Sequence, residues 1–213
     1  MSQYALTLAL PPVFTADTFV VSGCNHQAWQ WVENWPNWQA LLLYGPEGSG
    51  KSHLGHIWAA RSQAVTVNGA DIGLIEPGSG NWLIEDIGQA AERPLLHLFN
   101  YVREHGGSLI MTARSPAPGL PFTLPDLTSR LAALPSVAIG QPDDEVLRGA
   151  IRKQFSDRQM KVEEDVILYI LPRMQRSLLK AKELVELLDA SALAEGKSIT
   201  IPFVKRIMGE MDT

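Results

Sequence analysis

Residues 41–52 read LLLYGPEGSGKS, and this stretch decides the fold. The apolar residues 41–44 are typical of a buried strand, and Gly45, Gly50, Lys51 and Ser52 follow at the G-x-x-x-x-G-K-S spacing of a phosphate-binding loop. Glycines let successive backbone N–H groups surround phosphate oxygens, Lys51 reaches the β- and γ-phosphates, and the Ser52 hydroxyl suits Mg²⁺. The sequence therefore predicts a strand, loop and helix that bind a nucleotide.

The composition is that of a globular chain with one main domain and a small appendage, since 46% of the 213 residues are hydrophobic. A single cysteine, Cys24, excludes an intramolecular disulfide framework. Residues 1–20 lack the features of a signal peptide, and no later segment has the roughly 18 uninterrupted apolar residues of a membrane span. We expect a cytoplasmic protein with no membrane partner.

Positive charge is scarce in the first two thirds of the chain. Residues 1–144 contain six of the 18 Lys and Arg residues but 12 of the 23 Asp and Glu residues. A nucleic-acid interface normally shows a clustered excess of positive charge, so we expect no direct sequence-specific DNA binding. Lys51, Arg114 and Arg130 are half of these six cations, and each is either functional or part of a solvated surface.

Strands and helices alternate up to about residue 140, which predicts an α/β fold with a parallel sheet sandwiched by helices. Beyond this point helices and charged residues replace strands. We predict an extended peptide at 1–12, a nucleotide-binding core at 13–142 and a small helical lid at 143–213. Within the core the predicted strands are 40–44, AVTVNG, NWLIED, SLIMTAR and SVAIG. An aromatic-rich helix is expected in the segment from Asn25 to Trp38, and Pro36 is expected to end it.

Two carboxylates end the apolar strand WLIED, where phosphoryl transfer requires a Mg²⁺-ordering acid and a water-polarising acid. Glu85 precedes Asp86, whereas strands of this kind usually carry Asp first. The longer side chain therefore stands where the metal contact is expected, so we predict weak hydrolysis by this chain itself. The alternative is a strand end with exposed acids.

Two further residues are candidates for the chemistry. Thr112 ends the strand LIMT. Its hydroxyl is expected to meet the γ-phosphate or the attacking water, and the alternative is that Thr112 is an ordinary strand threonine. Arg130 lies in the helical segment DLTSRL, where it acts on a neighbour's nucleotide as an arginine finger or forms a salt bridge with Asp126 at i to i+4.

Together, several segments resemble the AAA+ ATPase module of the bacterial replication initiator DnaA, and most closely its short Hda-like paralogues, which inactivate the initiator. The resemblance covers Phe19 to Met208, and DLTSR and ITIPFVK are its most specific parts. DnaA carries a C-terminal helix-turn-helix domain for DNA, whereas this sequence ends soon after the lid. The segments are GPEGSGKS, LIEDI, LLHLFN, LIMTAR, DLTSRL and SITIPFVKRIM.

The resemblance implies a site for ADP or ATP with Mg²⁺, closed on one side by the lid. It implies that Arg130 faces the ATP of DnaA, and that Ser52 and Glu85 serve the Mg²⁺. The residues implied at the nucleotide are Phe19, Val20, Val21 and Asn25 near the base and Gly45, Pro46, Glu47, Gly48, Ser49, Gly50, Lys51, Ser52 and His53 around the phosphates.

Hda-like proteins begin with a peptide that binds the DNA polymerase sliding clamp (the β subunit). Gln3, Leu6 and Leu8 fit its Gln-x-x-Leu-x-Leu frame, although Tyr4 and Thr7 are not the commonest choices. An extended peptide of this kind places alternate side chains in pockets of its partner. The alternative is a plain N-terminal strand.

The lid departs from the family pattern. An arginine of the lid helix usually contacts the phosphates, and aligning Arg173 with the preceding family arginine places Leu179 there. Arg176 and Lys180 are the candidate replacements, at different angles on the helix. This departure favours ADP held as a structural cofactor over rapid ATP turnover.

These features leave three functions open. The first is a regulator of replication initiation that docks on the clamp and promotes hydrolysis of DnaA-bound ATP through Arg130. The second is a nucleotide-gated module that binds the clamp or DnaA without accelerating hydrolysis, or that is only a weak ATPase. The third is a small P-loop kinase, for which the sequence supplies no acceptor pocket. An exposed Arg130 opposite a nucleotide also suits a head-to-tail homodimer.

Overall fold

A five-stranded parallel sheet forms the centre of the structure, a computed structural model that describes residues 18–211. The strands run in the order β2-β3-β4-β1-β5. The predicted α/β fold is confirmed, whereas the predicted peptide with Gln3, Leu6 and Leu8 lies outside the described residues. The strands are β1 (Ala40–Tyr44), β2 (Val65–Asn68), β3 (Trp82–Glu85), β4 (Leu109–Ala113) and β5 (Ser136–Ala138).

Helices cover both faces of the sheet, because side chains alternate along each buried strand. Leu42 faces the cluster formed with α3 and α4, whereas Leu41 and Leu43 face the cluster formed with α1 and α2. The sheet is therefore the middle of three layers. The helices are α1 (His26–Glu33), α2 (Lys51–Ser62), α3 (Glu92–Glu104) and α4 (Pro125–Ala132).

The helix predicted to end at Pro36 ends at Glu33, so that prediction is wrong at its C-terminal end. Residues 34–37 turn at Pro36, which cannot continue a helix. The turn brings the Trp35 and Trp38 rings onto Trp58, at centroid distances of 6.2 and 5.8 Å. Packing of three indole rings, with Trp38 and Trp58 buried and Trp35 partly buried, thus follows the end of the helix.

Four helices follow the sheet and enclose a hydrophobic core of their own, which includes Leu147, Ile170, Leu184 and Val204. The first of them starts where the Asp143 carboxylate accepts a hydrogen bond from the Val146 N–H at 3.0 Å. These helices are α5 (Asp144–Asp157), α6 (Glu164–Ile170), α7 (Leu178–Glu195) and α8 (Ile201–Met211). Between residues 18 and 211, no helix is long and apolar enough to cross a membrane.

Candidate functional site

The candidate site lies at the carboxyl edge of the sheet, where loops after parallel strands converge. β1 is paired on both sides, with β4 and β5. Tyr44, its last residue, stands opposite Ala113 of β4, and the Gly45 N–H donates to the Ala113 carbonyl at 3.2 Å. The loop of residues 45–50 therefore leaves the sheet beside the end of β4.

The loop is built on glycines in the left-handed region, with φ of 70° at Gly48 and 100° at Gly50. Close neighbours also leave no room for side chains. A Cβ on Gly45 would lie 2.1 Å from the Ile139 carbonyl oxygen, and one on Gly48 would lie 2.0 Å from Ser177 Oγ. Conformation and space therefore both require the glycines that the sequence motif contains.

Polar groups of the loop are arranged as an anion site requires. Lys51 Nζ donates to the Gly45 and Pro46 carbonyls at 2.9 and 2.7 Å, and burial lowers the pKa of its ammonium group. The Ser49 hydroxyl is buried, and among residues 18–211 it has no hydrogen-bond partner. A cation close to the loop and a buried hydroxyl at the start of α2 fit a phosphate chain.

The start of α2 also places the predicted Mg²⁺ residues. Ser52 is exposed in the first turn of α2. His56 lies one turn further along the same face of this helix, and its Nε2 is 3.2 Å from Oε2 of Glu85, which ends β3. Mg²⁺ usually takes one or two protein ligands and completes its shell with water and phosphate, so Ser52 and Glu85 fit that role. Within residues 18–211 no group of three or more His, Cys, Asp or Glu side chains is arranged to hold a metal.

Thr112 and Asp86 are in direct contact. The Asp86 N–H donates to Thr112 Oγ1 at 2.9 Å, and Asp86 adopts a left-handed backbone with φ of 51°. Gln89 holds the Asp86 carboxylate with an amide hydrogen bond. Buried Thr112 thus fixes the direction in which the second acid leaves β3.

An aromatic corner lies next to the loop. Phe19 stacks on Trp29 at 5.4 Å between ring centroids and meets the His53 ring edge-on at 5.2 Å. The edge of Phe19 lies over Gly50, which brings one of the predicted base-site residues and His53 to the loop. Trp29 is a residue that sequence reasoning did not assign to the site.

The other predicted base-site residues serve the turn before α1. The Asn25 amide donates to the Val20 carbonyl and accepts from the Ser22 N–H, both at 2.9 Å. Val20 itself packs against Gly149 of α5, and Val21 follows it on the same turn. The structure therefore brings Val20 to the lid and uses Asn25 within the chain.

The helices after residue 143, the lid, touch the loop through their backbone. The Leu178 N–H donates to the Gly48 carbonyl at 2.8 Å, and Ser177, which caps α7, lies against the Cα of Gly48.

The two cations predicted to reach the phosphates from the lid are bound to other groups. Arg176 binds the Pro142 carbonyl and Asp144, at 3.0 and 2.8 Å, whereas Lys180 binds Glu183 at 2.7 Å.

Arg130 is held on the surface of α4. Its Nε donates to Asp126 Oδ1 at 2.9 Å, so the i to i+4 salt bridge considered in the sequence is present. The start of α4 is fixed by Glu92 of α3, whose carboxylate accepts hydrogen bonds from the Thr123 N–H and hydroxyl, each at 3.0 Å, and from the Leu124 N–H. The Leu124 N–H above all lowers the pKa of Glu92.

Arg114 was not assigned to the site, yet it follows Ala113 directly and lies 3.3 Å from Glu47 of the loop. It also lines an open cavity of about 420 Å³ with Asp86 and Gln89. The signal was present in the sequence, since Arg114 ends the predicted strand SLIMTAR and strand ends of a parallel sheet share one edge.

Comparison with known proteins agrees with this arrangement in two respects. Residues 143–208 match the family model described as "Hda, lid domain". The whole fold is similar to domain III of the replication initiation protein DnaA from Thermotoga maritima, with a TM-score of 0.83, 17% identity, and coverage of 94% of this chain and 98% of that one.

Two other solved structures are similar over most of this chain. AMPPCP-bound DnaA from Aquifex aeolicus has a TM-score of 0.67 and 18% identity, and covers 85% of this chain and 66% of its own. A point mutant of RuvB from Thermotoga maritima has a TM-score of 0.72 and 17% identity, and covers 92% of this chain and 72% of its own. At these identities the likeness shows the fold, and the predicted parallel sheet sandwiched by helices, with a small C-terminal helical domain, is confirmed.

Gly48→Ala should destabilise the protein more than Gly196→Ala. Both glycines are left-handed, with φ of 70° and 61°, and an alanine in that region costs about 1–2 kcal/mol. Only Gly48 adds a collision, because Ser177 can move away only by giving up its cap of α7. Denaturant unfolding measures both changes, and hydrogen exchange at the Leu178 amide should accelerate in Gly48→Ala alone. Equal effects at the two sites would contradict the lid contact.

Glu92→Gln should reduce the acid sensitivity of the protein. The folded-state pKa of Glu92 is lowered from its ordinary value of 4.5, so its contact contributes stability above that pH and loses it as the pH falls through the folded-state value. The wild type should therefore lose more stability than the variant between about pH 6 and pH 3. Thermal unfolding across this range tests it, with Glu104→Gln at the exposed end of α3 as the control. Parallel profiles of wild type and Glu92→Gln would refute the role of the carboxylate.

Proposed function

We propose that this chain is an Hda-like, DnaA-related AAA+ protein that regulates the initiation of chromosome replication, since its residues 143–208 match the Hda lid model and its fold is similar to that of DnaA domain III. It binds ADP or ATP with Mg²⁺, docks on the sliding clamp and stimulates hydrolysis of ATP held by DnaA. The match of the lid is the observation that carries this proposal. Initiation is thereby restrained, in the cytoplasm and at clamps loaded on DNA.

Nucleotide binding is supported by the loop itself. The N–H groups of residues 48–52, the Ser49 hydroxyl and Lys51 form the phosphate site, and Ser52 with Glu85 serves the Mg²⁺. When bound, Mg²⁺ offsets phosphate charge. The Glu85 carboxylate also contacts the His56 ring, so it is not committed to the metal alone. This contact supports weak hydrolysis by this chain and a mainly structural role for its nucleotide.

Action on a second protein is supported by the position of Arg130, which is partly exposed on the surface of α4. Asp126 orients the guanidinium through Nε and Nη2, and a guanidinium has five donors, so others remain for a phosphate. Glu92 fixes the helix that carries it. An arginine held in this way is suited to offset the charge that develops on the γ-phosphate of a partner's nucleotide.

Arg130→Ala should abolish most of the stimulation of DnaA-bound ATP hydrolysis. An arginine finger contributes on the order of 10³-fold or more to the rate, and alanine removes the whole guanidinium. The measurement is single-turnover hydrolysis by DnaA in the presence of clamp loaded on DNA. Arg61→Ala is the matched control, since Arg61 forms an exposed pair with Glu33 at 3.4 Å on the far end of α2. Equal stimulation by wild type and Arg130→Ala would contradict the arginine finger.

The double substitution Gln3→Ala and Leu6→Ala should lower the affinity for the clamp without altering nucleotide binding. Both side chains belong to the proposed clamp peptide, where the affinity resides in a few pockets. Surface plasmon resonance on immobilised clamp measures the loss, and Ser2→Ala, just before the Gln-x-x-Leu-x-Leu frame, is the control. An unchanged affinity in the double variant would remove the clamp from the proposal.

A second candidate is a nucleotide-gated module that binds DnaA or the clamp without accelerating hydrolysis. It is favoured by the bidentate hold of Asp126 on Arg130, which must loosen before the guanidinium reaches a phosphate. The lifetime of DnaA-bound ATP separates the candidates. A shortened lifetime supports the first, and an unchanged lifetime with intact binding supports the second.

A further inference from the structure

The turn of residues 18–25, which precedes α1, touches both the loop and the lid. The Phe19 ring lies over Gly50, 3.9 Å from the position that a Cβ on this glycine would take. The next residue, Val20, packs on Gly149 in the second turn of α5, the first helix of the lid. Two neighbouring side chains of one turn thus contact the two parts of the molecule between which the nucleotide is proposed to bind.

Gly149 forms a notch in the surface of α5. A Cβ added to it would lie 2.6 Å from Cγ2 of Val20, well inside the separation of about 3.5–4.0 Å at which carbon atoms attract each other. Glycine is otherwise unfavourable inside a helix, because alanine loses less conformational freedom there. Gly149 is thus explained by the approach of Val20 and not by the helix to which it belongs.

The turn holds Val20 firmly in this place. The buried Asn25 amide donates to the Val20 carbonyl and accepts from the Ser22 N–H, both at 2.9 Å. The Cys24 carbonyl accepts from the Gly140 N–H at 2.8 Å, in the segment between β5 and the lid. A valine side chain is also branched at Cβ and rotates little. Val20 therefore cannot move away from the lid unless the whole turn moves.

The lid contacts the loop at a second place, through Leu178 at the start of α7. Its N–H donates to the Gly48 carbonyl at 2.8 Å, and its Cδ1 lies 3.4 Å from the position of a Cβ on Gly50. Helices α5 and α7 share one hydrophobic core, and close-packed helices transmit displacement to each other. Lifting α5 off Val20 should therefore also lift Leu178 off the loop.

We propose that Val20, seated in the notch at Gly149, holds the lid on the loop and thereby sets the rate at which a bound nucleotide leaves. The inference rests on the proposed nucleotide binding and adds to it the contact that controls release. Val20 and Gly149 act as positioning residues, and this role requires no contact between either of them and the nucleotide.

Gly149→Ala should accelerate nucleotide release about tenfold, because the added methyl group collides with Val20 and pushes the lid off the loop. Stopped-flow fluorescence measures the rate when excess ADP with Mg²⁺ displaces the fluorescent analogue mant-ADP. Hydrogen exchange at the Leu178 amide, measured without nucleotide, should accelerate by a similar factor. The matched control is Gly209→Ala in α8 of the lid, where an added carbon has open space around it within residues 18–211, and it should change neither rate.

Val20→Ala should reverse the effect of Gly149→Ala, because the shorter side chain leaves room for the new methyl group. The double variant should release mant-ADP within about threefold of the wild-type rate, although each single variant releases it faster. Val20→Ala alone should accelerate release less than Gly149→Ala, since it loses a contact without adding a collision. A general loss of stability would give no such rescue.

Rates in Gly149→Ala equal to those in Gly209→Ala overturn the proposal and leave nucleotide binding intact. Acceleration that Val20→Ala does not reverse also overturns it, since the collision is then not with Val20. If Gly149→Ala does not fold, Val20→Ala decides alone, and unchanged exchange at its Leu178 amide contradicts the proposal. A wild-type protein that binds neither ADP nor ATP overturns the proposed function and the control of release together, so the two failures are distinguishable.

Discussion

The tight packing of residues 45–50 between the sheet and the lid is the constraint on which the rest of the structure depends. One side of this loop meets the Ile139 carbonyl and the other meets Ser177, and neither Gly45 nor Gly48 has space for a single carbon beyond Cα. The sheet and the lid have separate hydrophobic cores, and this backbone contact joins them, together with the packing of Val20 on Gly149. The hydrogen bond from the Leu178 N–H to the Gly48 carbonyl thus links the conformation of the loop to the position of the lid.

The elements that the sequence predicted well are those with local causes. The strand of residues 40–44 is apolar throughout and buried on both faces, and the loop after it needs glycine for its own conformation. Pro36 was read from the sequence as the end of the first helix, but α1 already ends at Glu33, and the packing of Trp35 and Trp38 on Trp58 beyond it is a tertiary contact that periodicity does not reveal. The Arg130 salt bridge could be foreseen, since Asp126 stands one turn away on the same helix.

The partners of the predicted lid cations could not be read from the sequence. Lys180 lies on α7, whereas Arg176, expected on the same helix, lies just before it, and their partners are Glu183 for the first and Pro142 and Asp144 for the second. Arg114 was overlooked for the converse reason, because its partner Glu47 is far away in sequence and the pair exists only once β1 and β4 lie side by side. Long-range charge pairing follows from strand order, which a single sequence does not state.

Three consecutive residues at the end of β4 each meet a different part of the nucleotide site. Thr112 accepts the hydrogen bond that directs the acidic strand end, Ala113 accepts the one that starts the loop, and Arg114 reaches Glu47. Because side chains alternate along a strand, an insertion or deletion of one residue here would misplace all three at once. The length of β4 is therefore as important to this edge of the sheet as the residue types that end it.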